Sequence, residues 1–90
     1  MLDRNEIRAT LIELMEADTG GNYANVEETN QLRTELGLDS VDVVSIISQV
    51  ERRFRIRLSQ EDLEKLVTFG DVLDLLQKKL NDADSAPRAA

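Results

Sequence analysis

The feature that most constrains this 90-residue chain is a helix start signal that occurs four times. A capping side chain followed three positions later by an acid lets each side chain satisfy the other's free backbone N–H. Asp3 and Glu6, Asp39 and Asp42, Ser59 and Asp62, and Thr68 and Asp71 all stand in that relation. Aspartate is a good N-cap, although the strict box uses Ser or Thr. Each pair precedes apolar residues at helical spacing, no segment alternates convincingly as a strand, and no internal repeat is present. The expectation is an all-α bundle of three main helices plus one short helix, with a long loop between the first two.

Helix one is expected from Asp3 to Ala17, with Ile7, Leu11, Leu14 and Met15 on one face; Gly20-Gly21-Asn22 stops it. A connection from about Asp18 to Leu38 follows, carrying Tyr23, Val26, Leu32 and Leu36 as anchors. A loop of that length is functional or partly structured. Helix two should start at Asp39 or Ser40 and reach Arg53. Val44, Ile47, Val50 and Phe54 would trace its buried face, and Ile46 would widen the stripe. A short third helix fits Gln60 to Leu66. The fourth begins near Phe69, with Val72, Leu73, Leu76 and Leu80 inward and Lys78 and Lys79 complementing the dipole of its last turn. Residues 1–80 thus make one domain. Residues 81–90 hold no bulky apolar side chain and are expected to be a disordered tail.

Composition narrows the function. A domain this small buries only about 60–65% of its unfolded surface, so the core must be economical. Tyr23, Phe54 and Phe69 are its aromatics. Without cysteine there is no disulfide frame and no thiolate metal site. Without histidine the chain lacks the commonest general base and the usual partner of a nucleophilic serine. These absences argue against catalysis. A net charge of −7 opposes binding to nucleic acid or an anionic membrane, both polyanions. No apolar run approaches the roughly 20 residues of a membrane span, and Met1–Glu6 lacks the apolar core of a signal peptide. A cytoplasmic monomer without an intrinsic metal is the expectation.

The stretch Leu36-Gly37-Leu38-Asp39-Ser40-Val41-Asp42-Val43-Val44 sets one hydroxyl among carboxylates at a helix start. Free N–H groups and the helix dipole there favour a phosphate. Nothing nearby activates Ser40 as a nucleophile, so the position suits a serine modified by another enzyme. Asp39 could help hold Mg²⁺ while a phosphate donor is engaged. The plainer alternative is that Asp39 and Ser40 do no more than cap a helix.

"LGLDSVDVVSIISQVERRF", followed by "DLEKLVTFGDVLDLL", resembles the acyl carrier proteins over Ile7 to Leu80. The signature Gly-x-Asp-Ser-Leu is met as Gly37-Leu38-Asp39-Ser40-Val41. Asp42, Val44, Phe54, Glu61 to Leu66, Thr68 and Gly70-Asp71-Val72 support it. The resemblance implies that Ser40 receives 4′-phosphopantetheine from coenzyme A through a phosphopantetheinyl transferase and Mg²⁺. The arm's thiol would carry acyl cargo as a thioester among acyl-transferring and acyl-modifying enzymes of a fatty acid, lipid or polyketide pathway. The lack of cysteine fits a borrowed thiol. Val44, Ile47, Phe54, Leu63 and Val72 are candidates to line a cargo space, with ordinary core packing as their alternative.

Two departures from the pattern stand out. Val41 replaces the usual leucine, and Val41, Asp42 and Val43 are candidates to touch partner enzymes. Ser45, Arg52 and Arg53 occupy positions where acids are common. The segment from Glu51 to Arg57 holds four arginines against one glutamate, and removing those arginines would take the chain from −7 to −11. They either complement a helix dipole, at about 0.3–1 kcal/mol each, or make Arg52 and Arg53 determinants of partner choice. The latter would mark a pathway-dedicated carrier. Rival functions are an aminoacyl or peptidyl carrier and an unmodified helical interaction module. A DNA-reading helix-turn-helix is more distant, because the field is too negative.

Overall fold

The computed structural model describes residues 3–85. The chain runs α1 (Arg4–Thr19), α2 (Ser40–Phe54), α3 (Gln60–Glu64) and α4 (Phe69–Ser85). Asp3 caps α1, the Glu6 N–H donating to its Oδ1 at 2.8 Å. Asp39 with Asp42 and Ser59 with Asp62 form reciprocal capping boxes at α2 and α3. At α4 the Asp71 N–H donates to Thr68 Oγ1 at 3.1 Å, and the Thr68 N–H donates back to Asp71 Oδ2 at 3.0 Å. The Val67 N–H joins that carboxylate at 3.0 Å. All four start signals operate as helix starts.

Helix ends depart further from expectation. α1 runs on to Thr19 and closes at Gly20, whose φ of 76° lets its N–H reach the Glu16 carbonyl at 2.8 Å. α3 is only five residues long and ends at Glu64 rather than Leu66. α4 continues to Ser85, past its expected end at Leu80; the rest of the expected tail, residues 86–90, lies outside the described residues. Lys78 and Lys79 therefore sit in the body of α4, not in its last turn. Lys79 pairs with Asp62 at 3.2 Å, tying α4 to the start of α3.

α1 packs against both α2 and α4. The helices give the core Ile7, Leu11 and Met15 from α1, Ile46, Ile47 and Val50 from α2, and Phe69, Val72, Leu73 and Leu76 from α4, and Ile56 joins them from just past α2. Leu14, Phe54 and Leu80 reach it only in part. The expected face of α2 holds at Ile46, Ile47 and Val50 but not at Val44. Val44 is 53% exposed, whereas Val43 packs against the core. The buried arc centres on Val50, and at about 100° per residue Val43 falls inside it while Val44 falls at its edge.

The loop between α1 and α2 is an ordered strap. It buries Val26, Leu32 and Leu38 and tucks Tyr23 and Leu36 partly in. Across from it, the Leu32 N–H donates to the Val67 carbonyl, the Phe69 N–H to Asn30 and the Gly70 N–H to Glu28, each at 2.9 Å. Gln31 and Thr68 form an isolated antiparallel bridge within this run. Arg8 secures the strap from α1 by donating to the Val26 carbonyl at 2.7 Å, with its guanidinium 6.0 Å from the centroid of the Phe69 ring. The strap brings the chain to Gly37, whose φ of 71° favours glycine, and then directly to the start of α2.

Candidate functional site

Ser40 is the first residue of α2 and is exposed. Its position follows from the capping box just before it. The Asp42 N–H donates to Asp39 Oδ1 at 2.9 Å, and the Asp39 N–H donates to Asp42 Oδ2 at 3.3 Å. Both carboxylates are thus held to the backbone on either side of the serine. The Ser40 hydroxyl has no hydrogen-bond partner among the described residues. It stands free at a helix N-terminus, where an attached phosphate oxygen would find favourable N–H groups and dipole.

A surface groove of about 320 Å³ opens beside Ser40. Leu32, Val43, Val44, Leu63 and Leu66 give it apolar walls, and Arg33, Gln60 and Glu64 a polar rim. Behind it lies a narrow apolar slot of about 20 Å³ in the core, lined by Leu11, Met15, Leu38, Ile46, Ile47, Phe69 and Val72 among others. Leu32 and Val43 line both spaces, so these two side chains form the wall between them. The slot as it stands has room for little more than a water-sized guest.

The five residues expected to line one cargo space are therefore divided. Val44 and Leu63 line the outer groove beside Ser40, Ile47 and Val72 line the inner slot, and Phe54 lines neither. Leu32 and Val43, which touch both, were not among those five; Val43 was expected to meet partners instead. The hydrophobic pattern marks them as apolar but does not say that they face a void. Of the residues expected to meet partners, Val41 is 75% exposed, Asp42 is half-buried within its capping box, and Val43 is turned inward. Arg52 and Arg53 are exposed in the last turn of α2, where they also complement its dipole.

Ser45 has a role internal to the fold. Its hydroxyl donates to Asp18 Oδ1 at 2.7 Å, and Gln49 Nε2 donates to the same oxygen at 2.8 Å, joining α2 to the end of α1. Around the site, carboxylates with shifted pKa values serve structure. Asp62 is held below the ordinary value by the Ser59 backbone N–H and then by Lys79; Asp71 is lowered by the Thr68 and Val67 backbone N–H groups. Neither lies in the groove beside Ser40.

Comparison with known proteins gives a consistent picture. The family described as "Phosphopantetheine attachment site" matches residues 5–76. The chain is similar to an acyl carrier protein of Thermotoga maritima, 32% identical over 80 residues, covering 89% of this chain and 99% of that one. It is also similar to an acyl carrier protein of Saccharopolyspora erythraea, 33% identical over 94 residues and covering 99% of each. Among solved structures, the crystal structure of the Thermotoga maritima acyl carrier protein superposes with a TM-score of 0.84 at 31% identity, covering 90% of this chain and 94% of that one.

Proposed function

The chain belongs to the acyl carrier protein family, and on that premise we propose that Ser40 is the residue to which its 4′-phosphopantetheine is joined. Members of this family are carriers of that group and are not themselves catalysts. The observation that carries the assignment is the Ser40 hydroxyl, exposed and free of hydrogen-bond partners at the first turn of α2.

The surrounding residues fit such an attachment. Asp39 and Asp42 fix the first turn and hold Ser40 outward, with Asp39 itself exposed for the metal-dependent transferase. Gly37 brings the backbone around ahead of the serine at a φ of 71°, a conformation that favours glycine. When bound, the arm supplies a thiol that holds an acyl group as a thioester. The groove beside Ser40 gives the arm and the first carbons of the cargo a partly apolar bed, with Val44 and Leu63 in its walls. Ile47 and Val72 become available to longer cargo once Leu32 and Val43 move aside.

The proposal includes a cytoplasmic monomer that passes acyl intermediates between enzymes of a fatty acid, lipid or polyketide pathway. Val41, Arg52 and Arg53 are the surface residues proposed to meet those enzymes. Mass spectrometry of the protein purified from its native cell tests the cargo class. An acyl thioester on the Ser40 arm is the expected result. An aminoacyl or peptidyl thioester would transfer the chain to the other carrier class, and an unmodified Ser40 would leave a helical interaction module.

A further inference from the structure

Between Gln31 and Leu38 the strap closes on itself. The Glu35 and Leu36 N–H groups both donate to the Gln31 carbonyl at 3.0 Å, and Glu35 Oε1 accepts the Gln31 N–H at 2.8 Å. The Leu38 N–H donates to the Leu32 carbonyl at 2.9 Å, which ties the residue before Arg33 to the residue two before Ser40. With Leu32 buried as its anchor, this turn sets the exposed Arg33 on the rim of the groove that Ser40 also lines. Arg33 is the single cation among the groove's lining residues. It makes no hydrogen bond or ion pair among the described residues. The carboxylates about the groove do not claim it. Glu35 is turned onto Gln31, and Asp39 and Asp42 hold each other's backbone. Glu64, on the same rim, forms no ion pair with it.

Resting on the carrier reading, we propose that Arg33 holds the phosphodiester that joins the arm to Ser40, and so lays the beginning of the arm along the groove. Attachment at Ser40 adds a permanent negative charge beside Asp39 and Asp42, in a chain of net −7. The helix N-terminus answers part of that charge. A planar guanidinium with its donors unspent answers more, because it meets two phosphate oxygens at once. Leu32, Val44 and Leu63 line the same groove, so an arm held at its phosphate can rest its geminal methyl groups on apolar surface. A carboxylate at the far end of an acyl cargo offers a guanidinium the same chemistry. The phosphate is favoured over it because its phosphorus is bonded directly to the Ser40 oxygen, whereas cargo sits at the other end of the arm.

The test is nuclear magnetic resonance of the isotope-labelled protein before and after conversion by coenzyme A, Mg²⁺ and a phosphopantetheinyl transferase, with the thiol left unloaded. The Arg33 Nε–H signal should move on conversion, while that of Arg57, outside the groove, should not. Cross-peaks between the arm's geminal methyls and the methyls of Val44 and Leu63 should appear in the converted protein. Arg33→Gln should weaken them about twofold to fivefold, the span expected for an exposed ion pair. Arg33→Lys should restore part of that loss, and about 1 M salt should weaken the cross-peaks of the unaltered protein likewise. If Ser40 is modified but the Arg33 signal stays put and Arg33→Gln leaves the cross-peaks at full strength, the proposal is overturned while the carrier reading stands. An Arg33 response that begins only when the thiol carries an acyl group ending in a carboxylate would give the arginine to cargo and equally overturn it. If Ser40 is not modified at all, the carrier reading falls and takes the proposal with it.

Discussion

Gly70 shows how a single missing side chain fixes the strap over α4. Its N–H donates to the Glu28 carbonyl at 2.9 Å, and a Cβ built on it would stand 3.0 Å from that oxygen and 3.1 Å from Glu28 Cβ. Valine there adds branched bulk against backbone that cannot turn aside. Gly70→Val should therefore lose about 2 kcal/mol of stability, the ordinary cost of forced overpacking, seen as a lower urea midpoint at unchanged slope. An unchanged midpoint would mean that the strap is not held at this point. In the sequence Gly70 reads as a glycine near a helix start; which backbone approaches it depends on residues forty positions away. Val43 and Val44 pose the same difficulty more locally. They are identical side chains one position apart, and only the packing of α2 against the rest of the core decides which is inside.

At the scale of elements, helix starts were legible and helix ends much less so. Asp39, Ser59 and Thr68 act through bonds to residues three positions away, so the chemistry is complete within a few letters. Ends depend on what the chain does next. α2 closes with Arg55 at a φ of 57°, a left-handed conformation that the residue type does not announce. α4 passes through its lysines to Ser85 without a glycine to stop it. The caps also give the fold a pH dependence. Asp71 and Asp62 are held below their ordinary pKa by backbone N–H groups, and Glu28 by the Arg4 guanidinium. A carboxylate depressed in the folded state adds stability above its unfolded pKa and loses it as pH falls through the folded one. Stability against urea should thus be constant near neutrality and fall as pH drops below about 4. Asp71→Asn should lower stability at pH 7 and flatten that acid limb. A profile unaltered by Asp71→Asn would show that the carboxylate does not hold the start of α4.

Over the whole molecule, long-range polar ties complete what the apolar core begins. Arg4 donates to both carboxylate oxygens of Glu28 at 3.0 and 2.6 Å, to Asp74 at 2.8 Å and to Gln77 at 2.6 Å, gathering α1, the strap and α4. Glu28 and Asp74 are largely exposed, so this knot orients the elements more than it stabilises them. Nothing in the sequence pairs Arg4 with residues 24 and 70 positions away. The site was more legible than its surroundings, because the turn, cap and hydroxyl lie within Gly37 to Asp42, whereas the groove is assembled from the strap, α2 and α3. Ser40 is proposed as the joint between this bundle and its phosphopantetheine. Intact-mass measurement after incubation with coenzyme A, Mg²⁺ and a phosphopantetheinyl transferase tests it most directly. One phosphopantetheine per chain, located on Ser40 by fragmentation and missing from Ser40→Ala, is the predicted result. An unchanged mass, or the group on another residue, would contradict it.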